Sequence, residues 1–254
     1  MSAFIIIASL IIGLLAGFLS GQFGIGGGLI LKPGIRLILQ KEAFVAIGTP
    51  LLIIIPTTIA GAYNYKKSGF IDVRTSIIIG IVGGFTSIFG ALAGRLVSGE
   101  ILLLITAALI AIVSISYLFP GRSTTPKKVN INPTYLSVAT GVFAGFFSGF
   151  LGLGGGFLII PALTYLFGKN IKEAFGTSLL AIAIIAVPGS LIHIYLGNVD
   201  LVIAFFTILG VIPGAYLGSK LTIALPERTV TILFGLLLLV IAIFLAVNEL
   251  RFLL

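Results

Sequence analysis

Apolar runs long enough to cross a bilayer follow one another along almost the whole chain. In hydrocarbon, where no water satisfies a backbone N–H or C=O, such runs fold as helices that bond internally. The runs at 3–20, 43–63, 74–95 and 100–119 each match the roughly 17 to 25 residues a transmembrane helix needs. With 254 residues, 9% of them charged, and a mean hydropathy of +1.28, no stretch is left over for a separate soluble domain. The expected fold is an all-α polytopic membrane protein forming a single membrane domain over 1–254. Residues 3–19 have the apolar core of a secretory signal, but no Lys or Arg precedes them and the pattern returns inside the chain, so they read as structure. Most basic residues behind the net charge of +8 sit singly or in pairs at segment ends, which reads as membrane topology and not as nucleic-acid binding.

Shifted by 128 residues, the chain superimposes on itself without a gap. "AGFLSGQFGIGGGLILKP", Ala16 to Pro33, and "AGFFSGFLGLGGGFLIIP", Ala144 to Pro161, agree at ten of eighteen positions. The register continues: Gly48 and Thr49 fall on Gly176 and Thr177, Gly61 on Gly189, Asp72 on Asp200, and Gly90 on Gly218. Repeat 1 spans about 1–119, a polar linker 120–133, and repeat 2 about 134–254.

Each repeat divides into five segments, the second of them, 28–40 in repeat 1, too short at about 20 Å to cross a core of ~30 Å. With the segment before it, it predicts a glycine-broken re-entrant hairpin, followed by three complete crossings. An odd number of crossings per repeat places the two repeats in inverted topology. Loop charges agree: Lys66, Lys67 and Arg74 correspond to the uncharged Ile194, Tyr195 and Val202, Glu100 to Arg228, and Leu92 to Lys220. Basic loops inside put both termini outside a cell membrane, although Lys41 and Arg95 run against that assignment.

The hairpins break at Gly24, Gly26, Gly27 and Gly28 and at Gly152, Gly154, Gly155 and Gly156. Glycines spaced to pack helices belong elsewhere, at Gly80 to Gly84, Gly90 to Gly94 and Gly210 to Gly218. Consecutive glycines unravel a helix, and non-helical backbone at membrane depth occurs where it lines a site. The helix restarting at each break points its positive N-terminus to the midplane, so two such ends converge on a site for a small anion. Ser20, Gly21, Gln22, Ser148 and Gly149 border it, with hydroxyls and an amide to donate. "GIGGGL" and "GLGGGF" lack both the third glycine of a dinucleotide fingerprint and a "GK[ST]" ending.

The duplicated signature "SGxxGxGGGxLxxP", carried by "SGFLGLGGGFLIIP", with Phe157 before Leu158, and, with Ile30 in the leucine position, by "SGQFGIGGGLILKP", resembles that of the sulfite exporter TauE/SafE family, also called the sulfonate uptake permease family. The resemblance covers essentially the whole chain. It implies a membrane transporter of sulfite, thiosulfate, sulfonates or related organosulfur anions.

Lys32, where repeat 2 has Ile160, has two placements: facing the midplane site as a full positive charge, or snorkelling toward Arg36, Lys41 and the surface. Thr49, Thr177 and Ser178 stand just inside the next crossings, where hydroxyls can line a pathway. His193, the single histidine, reads as an interfacial anchor before a proton-coupling group. All seven acidic residues lie at segment ends, against cation transport and a carboxylate proton relay. There is no cysteine and no His/Asp/Glu cluster for a metal, a cofactor or catalysis. The reading is therefore a non-enzymatic transporter working by alternating access, the alternative being an anion channel or passive facilitator with the same glycine-lined site.

Overall fold

The computed structural model describes residues 3–118 and 132–253. Linker residues up to Ile131, Lys127 and Lys128 among them, and the side chains of Glu100 and Glu249 lie outside the described residues. Repeat 1 contains α1 (Ala3–Phe23), α2 (Gly28–Pro33), α3 (Ala43–Lys67), α4 (Val73–Gly94) and α5 (Gly99–Leu118). Repeat 2 contains α6 (Pro133–Leu151), α7 (Gly156–Pro161), α8 (Ile171–Tyr195), α9 (Leu201–Ala224) and α10 (Glu227–Leu253). All are helical, and eight are long and apolar enough to cross a membrane. The short α2 and α7 run on into π-helical turns, Gly34–Ile38 and Ala162–Leu166. Pro33 and Pro161 stand at these junctions, where a residue without an N–H disturbs the regular helical ladder.

α1 runs a few residues past the apolar run at 3–20, to Phe23, and is long and apolar enough to cross a membrane. The chain then doubles back along it. A β-carbon placed on Gly27 would meet Ser20 and Ala16, and one on Gly34 would meet Ile12, so α2 retraces α1 toward its start. α7 begins beside α6 in the same way, with Gly155 against Ser148 and Ala144.

The two repeats interlock. α1 packs in parallel on α9, with Gly13, Gly17 and Gly21 against Thr207, Val211 and Ala215, and α6 packs in parallel on α4, with Gly141, Gly145 and Gly149 against Ile79, Gly83 and Ser87. Small residues allow backbone to approach backbone, where van der Waals contact replaces the absent hydrophobic drive. α3 and α8 cross at the centre and run antiparallel: Gly61 meets Leu179, and Gly189 meets Leu51, each the repeat image of the other. These two helices are the most buried of the spans. Around them α1, α4, α5, α6, α9 and α10 turn apolar side chains outward, among them Ile81, Phe85, Ile112, Phe143 and Val240, as lipid contact requires.

Antiparallel α3 and α8 bring the end of α3 to the start of α8. Lys66, Lys67, Arg74, Lys169 and Lys172 therefore gather at one end, and Lys172 Nζ ties that group to the end of α9 by donating to the Ile223 carbonyl at 2.8 Å.

Candidate substrate site

Three glycines in each break adopt left-handed backbone: Gly24, Gly26 and Gly27 at φ 68°, 78° and 87°, and Gly152, Gly154 and Gly155 at 66°, 76° and 77°. A side chain there is strained whatever space surrounds it. The fourth glycine has another cause. A β-carbon on Gly28 would lie 2.9 Å from Leu153 Cα, and one on Gly156 would lie 2.8 Å from Ile25 Cα. The two breaks touch each other, backbone to backbone. They do so at mid-depth, because Gly26 and Gly154 both face Ile54 and Ile182, the twelfth residues of the 25-residue helices α3 and α8.

Gly27 and Gly155 cap α2 and α7, and their carbonyls accept from Ile30 and Leu31 and from Leu158 and Ile159. The N–H groups ahead of these in each first turn, those of Gly28 and Leu29 and of Gly156 and Phe157, have no earlier helical carbonyl to bond. Beside each cap stands a serine. Ser20 Cβ is 3.5 Å from the β-carbon position of Gly27, and Ser148 Cβ is 3.4 Å from that of Gly155. Both serines are fully buried, and neither hydroxyl has a hydrogen-bond partner.

The other sequence-derived candidates make contacts within the protein. Gly21 and Gly149 turn their bare faces to the α9 and α4 backbones. Gln22 is buried, and its carbonyl accepts from Tyr65 Oη at 3.2 Å and from Thr222 Oγ1 at 2.7 Å. Ser178 Oγ donates to the Gly24 carbonyl at 2.9 Å and so braces the loop. The Thr49 and Thr177 hydroxyls accept from the backbone N–H of Asp200 and of Asp72, each at 3.0 Å. Lys32 does not snorkel. It is fully buried, its Nζ donates to Thr106 Oγ1 of α5 at 3.3 Å, and it lies within electrostatic reach of His193.

His193, in the last turn of α8, is buried within the protein, 3% exposed, and does not face the surface. Its Nε2 bonds the Gly149 carbonyl at 3.2 Å, and since a carbonyl only accepts, Nε2 carries the proton. Nδ1 then accepts from Asn198 Nδ2 at 3.4 Å.

Two ion pairs escaped the sequence reading. Lys41 meets Asp200 at 3.0 Å and Lys169 meets Asp72 at 2.9 Å, each joining one repeat to the other. The offset that superimposes Asp72 on Asp200 also superimposes Lys41 on Lys169, and that was the available signal. Lys41 thus stands on the less basic face already neutralised by Asp200. Burial alone would push both carboxyls up. For Asp72 the Thr75 N–H and Lys169 outweigh it, for Asp200 the Ile203 N–H and Lys41, and both stay below the usual carboxylate range.

The family model for "Sulfite exporter TauE/SafE" matches residues 9–245 of this chain. The chain belongs to the sulfite exporter TauE/SafE family. Relatives across the TauE/SafE family are carried as probable membrane transporter proteins: YunE of Bacillus subtilis is 28% identical over 87% of this chain and 88% of its own length. A Haemophilus influenzae relative is 32% identical over 94% of this chain and 97% of its own length. No solved structure matches the chain. The protein is thus a multi-pass membrane transporter of the TauE/SafE family.

Proposed function

We propose that the chain carries small sulfur-containing anions, such as sulfite, thiosulfate or a sulfonate, across a cell membrane by alternating access around the two glycine breaks. The observation that carries this reading is the pair of buried, partnerless hydroxyls of Ser20 and Ser148, each beside the cap of a helix restarting at mid-depth. An unsatisfied buried hydroxyl costs about 1–3 kcal/mol, and keeping one in each repeat makes sense when a ligand supplies the partner. The helix N-termini contribute partial positive charge and N–H donors aimed at the same point, which suits an oxyanion. The described acidic side chains, Glu42, Asp72, Glu173, Asp200 and Glu227, all lie at helix ends, away from the glycine contact.

The antiparallel α3 and α8 support inverted repeats, and the basic end that includes Lys66, Lys67 and Lys169 is then cytoplasmic, with both termini outside. The touching glycine breaks and the Ile54 and Ile182 side chains packed against them favour a carrier over an open pore. The sulfur chemistry follows the family's description. A binding screen of sulfite, thiosulfate, sulfate and sulfonates on detergent-purified protein, read by thermal stabilisation, tests the class. Flux in liposomes tests the mechanism: saturation and counterflow are expected, and ohmic single-channel current would refute the carrier.

A further inference from the structure

The described ion pairs that join the two repeats stand at opposite ends of the central helix pair, and each comes with the same second contact. At the end where α3 starts, Lys41 Nζ meets the Asp200 carboxylate, and Thr49 Oγ1 accepts from the Asp200 N–H. At the end where α8 starts, Lys169 Nζ meets the Asp72 carboxylate, and Thr177 Oγ1 accepts from the Asp72 N–H. Lysine, threonine and aspartate match one for one under the 128-residue offset. Each set joins a lysine and threonine of one repeat to the helix-capping aspartate of the other, and the sets stand at the starts of two antiparallel 25-residue helices, each about 37 Å long.

Each set also adjoins one glycine break. Ser178, next to Thr177, donates to the Gly24 carbonyl. Ile47, two residues before Thr49, presses its carbonyl on the bare face of Gly152. Because the two loops touch backbone to backbone at Gly28 and Gly156, releasing the start of α8 or the start of α3 loosens the contact that both loops share. Resting on the alternating-access reading above, we propose that Lys41, Thr49 and Asp200 form the gate of one face, and Lys169, Thr177 and Asp72 that of the other. Both gates are closed in this structure, and they open one at a time.

The two gates are not equal. Lys169 also pairs with Glu173, whose repeat counterpart is Val45, and its side chain is 14% exposed against 36% for Lys41. The Lys41 gate carries fewer charged contacts in more water, where ion pairs are weaker. It opens first.

The chain has no cysteine, so Ile25→Cys places a single reporter in a loop where the wild-type side chain is fully buried. Membrane-impermeant maleimide is applied to sealed vesicles of either orientation without substrate, so the outcome does not depend on which anion is carried. Lys41→Gln is expected to raise labelling about fivefold, the factor that about 1 kcal/mol gives in an open–closed equilibrium, from the face where α3 starts only. Lys169→Gln is expected to raise it from the opposite face only. Where either variant is not monodisperse, Asp200→Asn or Asp72→Asn, which keeps a capping oxygen, replaces it under the same criteria. Increases from one shared face, from both faces, or from neither overturn the gates. An Ile25→Cys parent that reacts equally from both faces overturns alternating access itself, and the gates with it.

Discussion

Tyr65 and His193 hold the same point of the fold in the two repeats: Tyr65 Oη donates to the Gly21 carbonyl at 3.1 Å, and His193 Nε2 donates to the Gly149 carbonyl at 3.2 Å. The need arises from the glycine breaks. When α1 stops at Phe23 and α6 at Leu151, the carbonyls of their last turns lose the N–H groups a continuing helix would supply. A phenol in one repeat and an imidazole in the other fill the same gap.

Replacing these donors should therefore destabilise the protein by leaving a buried carbonyl unpaired. His193→Phe is expected to cost about 1–3 kcal/mol, and His193→Gln, which keeps an N–H donor, less. Tyr65→Phe strips a bond from both the Gly21 and Gln22 carbonyls, but Thr222 still serves Gln22. Its cost should fall in the same range. Thermal unfolding of the purified variants in detergent measures all three.

Much of this arrangement was legible in the sequence because membranes restrict the choices. Apolar run length located the helices to within a few residues, and the 128-residue offset revealed the duplication. The glycine breaks announced themselves because no regular helix tolerates three left-handed residues in four. Side-chain partners across the repeats were not legible. Thr49 and Thr177 looked like pathway hydroxyls, yet their bonds go to the Asp200 and Asp72 backbones of the opposite repeat. Lys32 had two plausible placements, and the choice depended on Thr106, 74 residues away, which no local pattern brings near. His193 looked interfacial because it lies near a helix end, but the packing of α6 over it leaves it buried.

Acid should loosen the inter-repeat ion pairs. Asp72 and Asp200 have folded pKa values below their unfolded value, so their contribution is fully present above the ordinary carboxylate pKa and is lost as pH falls through the lowered values. Lys169 is shifted upward: burial alone would lower it, but Glu173 and Asp72 more than offset that, and its share disappears only as pH rises through that raised value. The melting temperature is expected to be flat between about pH 5 and 7 and to fall below about pH 4. Asp72→Asn and Asp200→Asn should flatten the fall; an unchanged profile in both would remove these carboxylates as its source.

The two capping glycines should tolerate alanine unequally. Gly27 sits at φ 87° with its nearest neighbour 3.5 Å from the β-carbon position, so Gly27→Ala meets backbone strain alone, about 1–2 kcal/mol. Gly155 sits at φ 77° with the Ala144 carbonyl oxygen 2.7 Å from that position, so Gly155→Ala meets strain and a clash with helix backbone that cannot easily move. Gly155→Ala is expected to lower the melting temperature more than Gly27→Ala. Equal losses would mean that α6 and α7 separate freely at that contact.

Ser20 and Ser148 should behave in opposite ways with and without ligand. Each hydroxyl is buried and unpaired within the protein, so Ser20→Ala and Ser148→Ala remove an unsatisfied polar group at little cost in packing. The melting temperature of each ligand-free variant is expected to stay level or rise. With anion present, each variant lacks a hydrogen bond to a charged group, about 1.5–3 kcal/mol, which is tenfold or more in Kd because every 1.4 kcal/mol is a factor of ten. A titration of the ligand-induced melting shift in wild type, each single variant and the double variant reads both effects together. Stable variants with undiminished shifts would place the anion elsewhere, and variants that lose stability without ligand would show that these hydroxyls hold the fold.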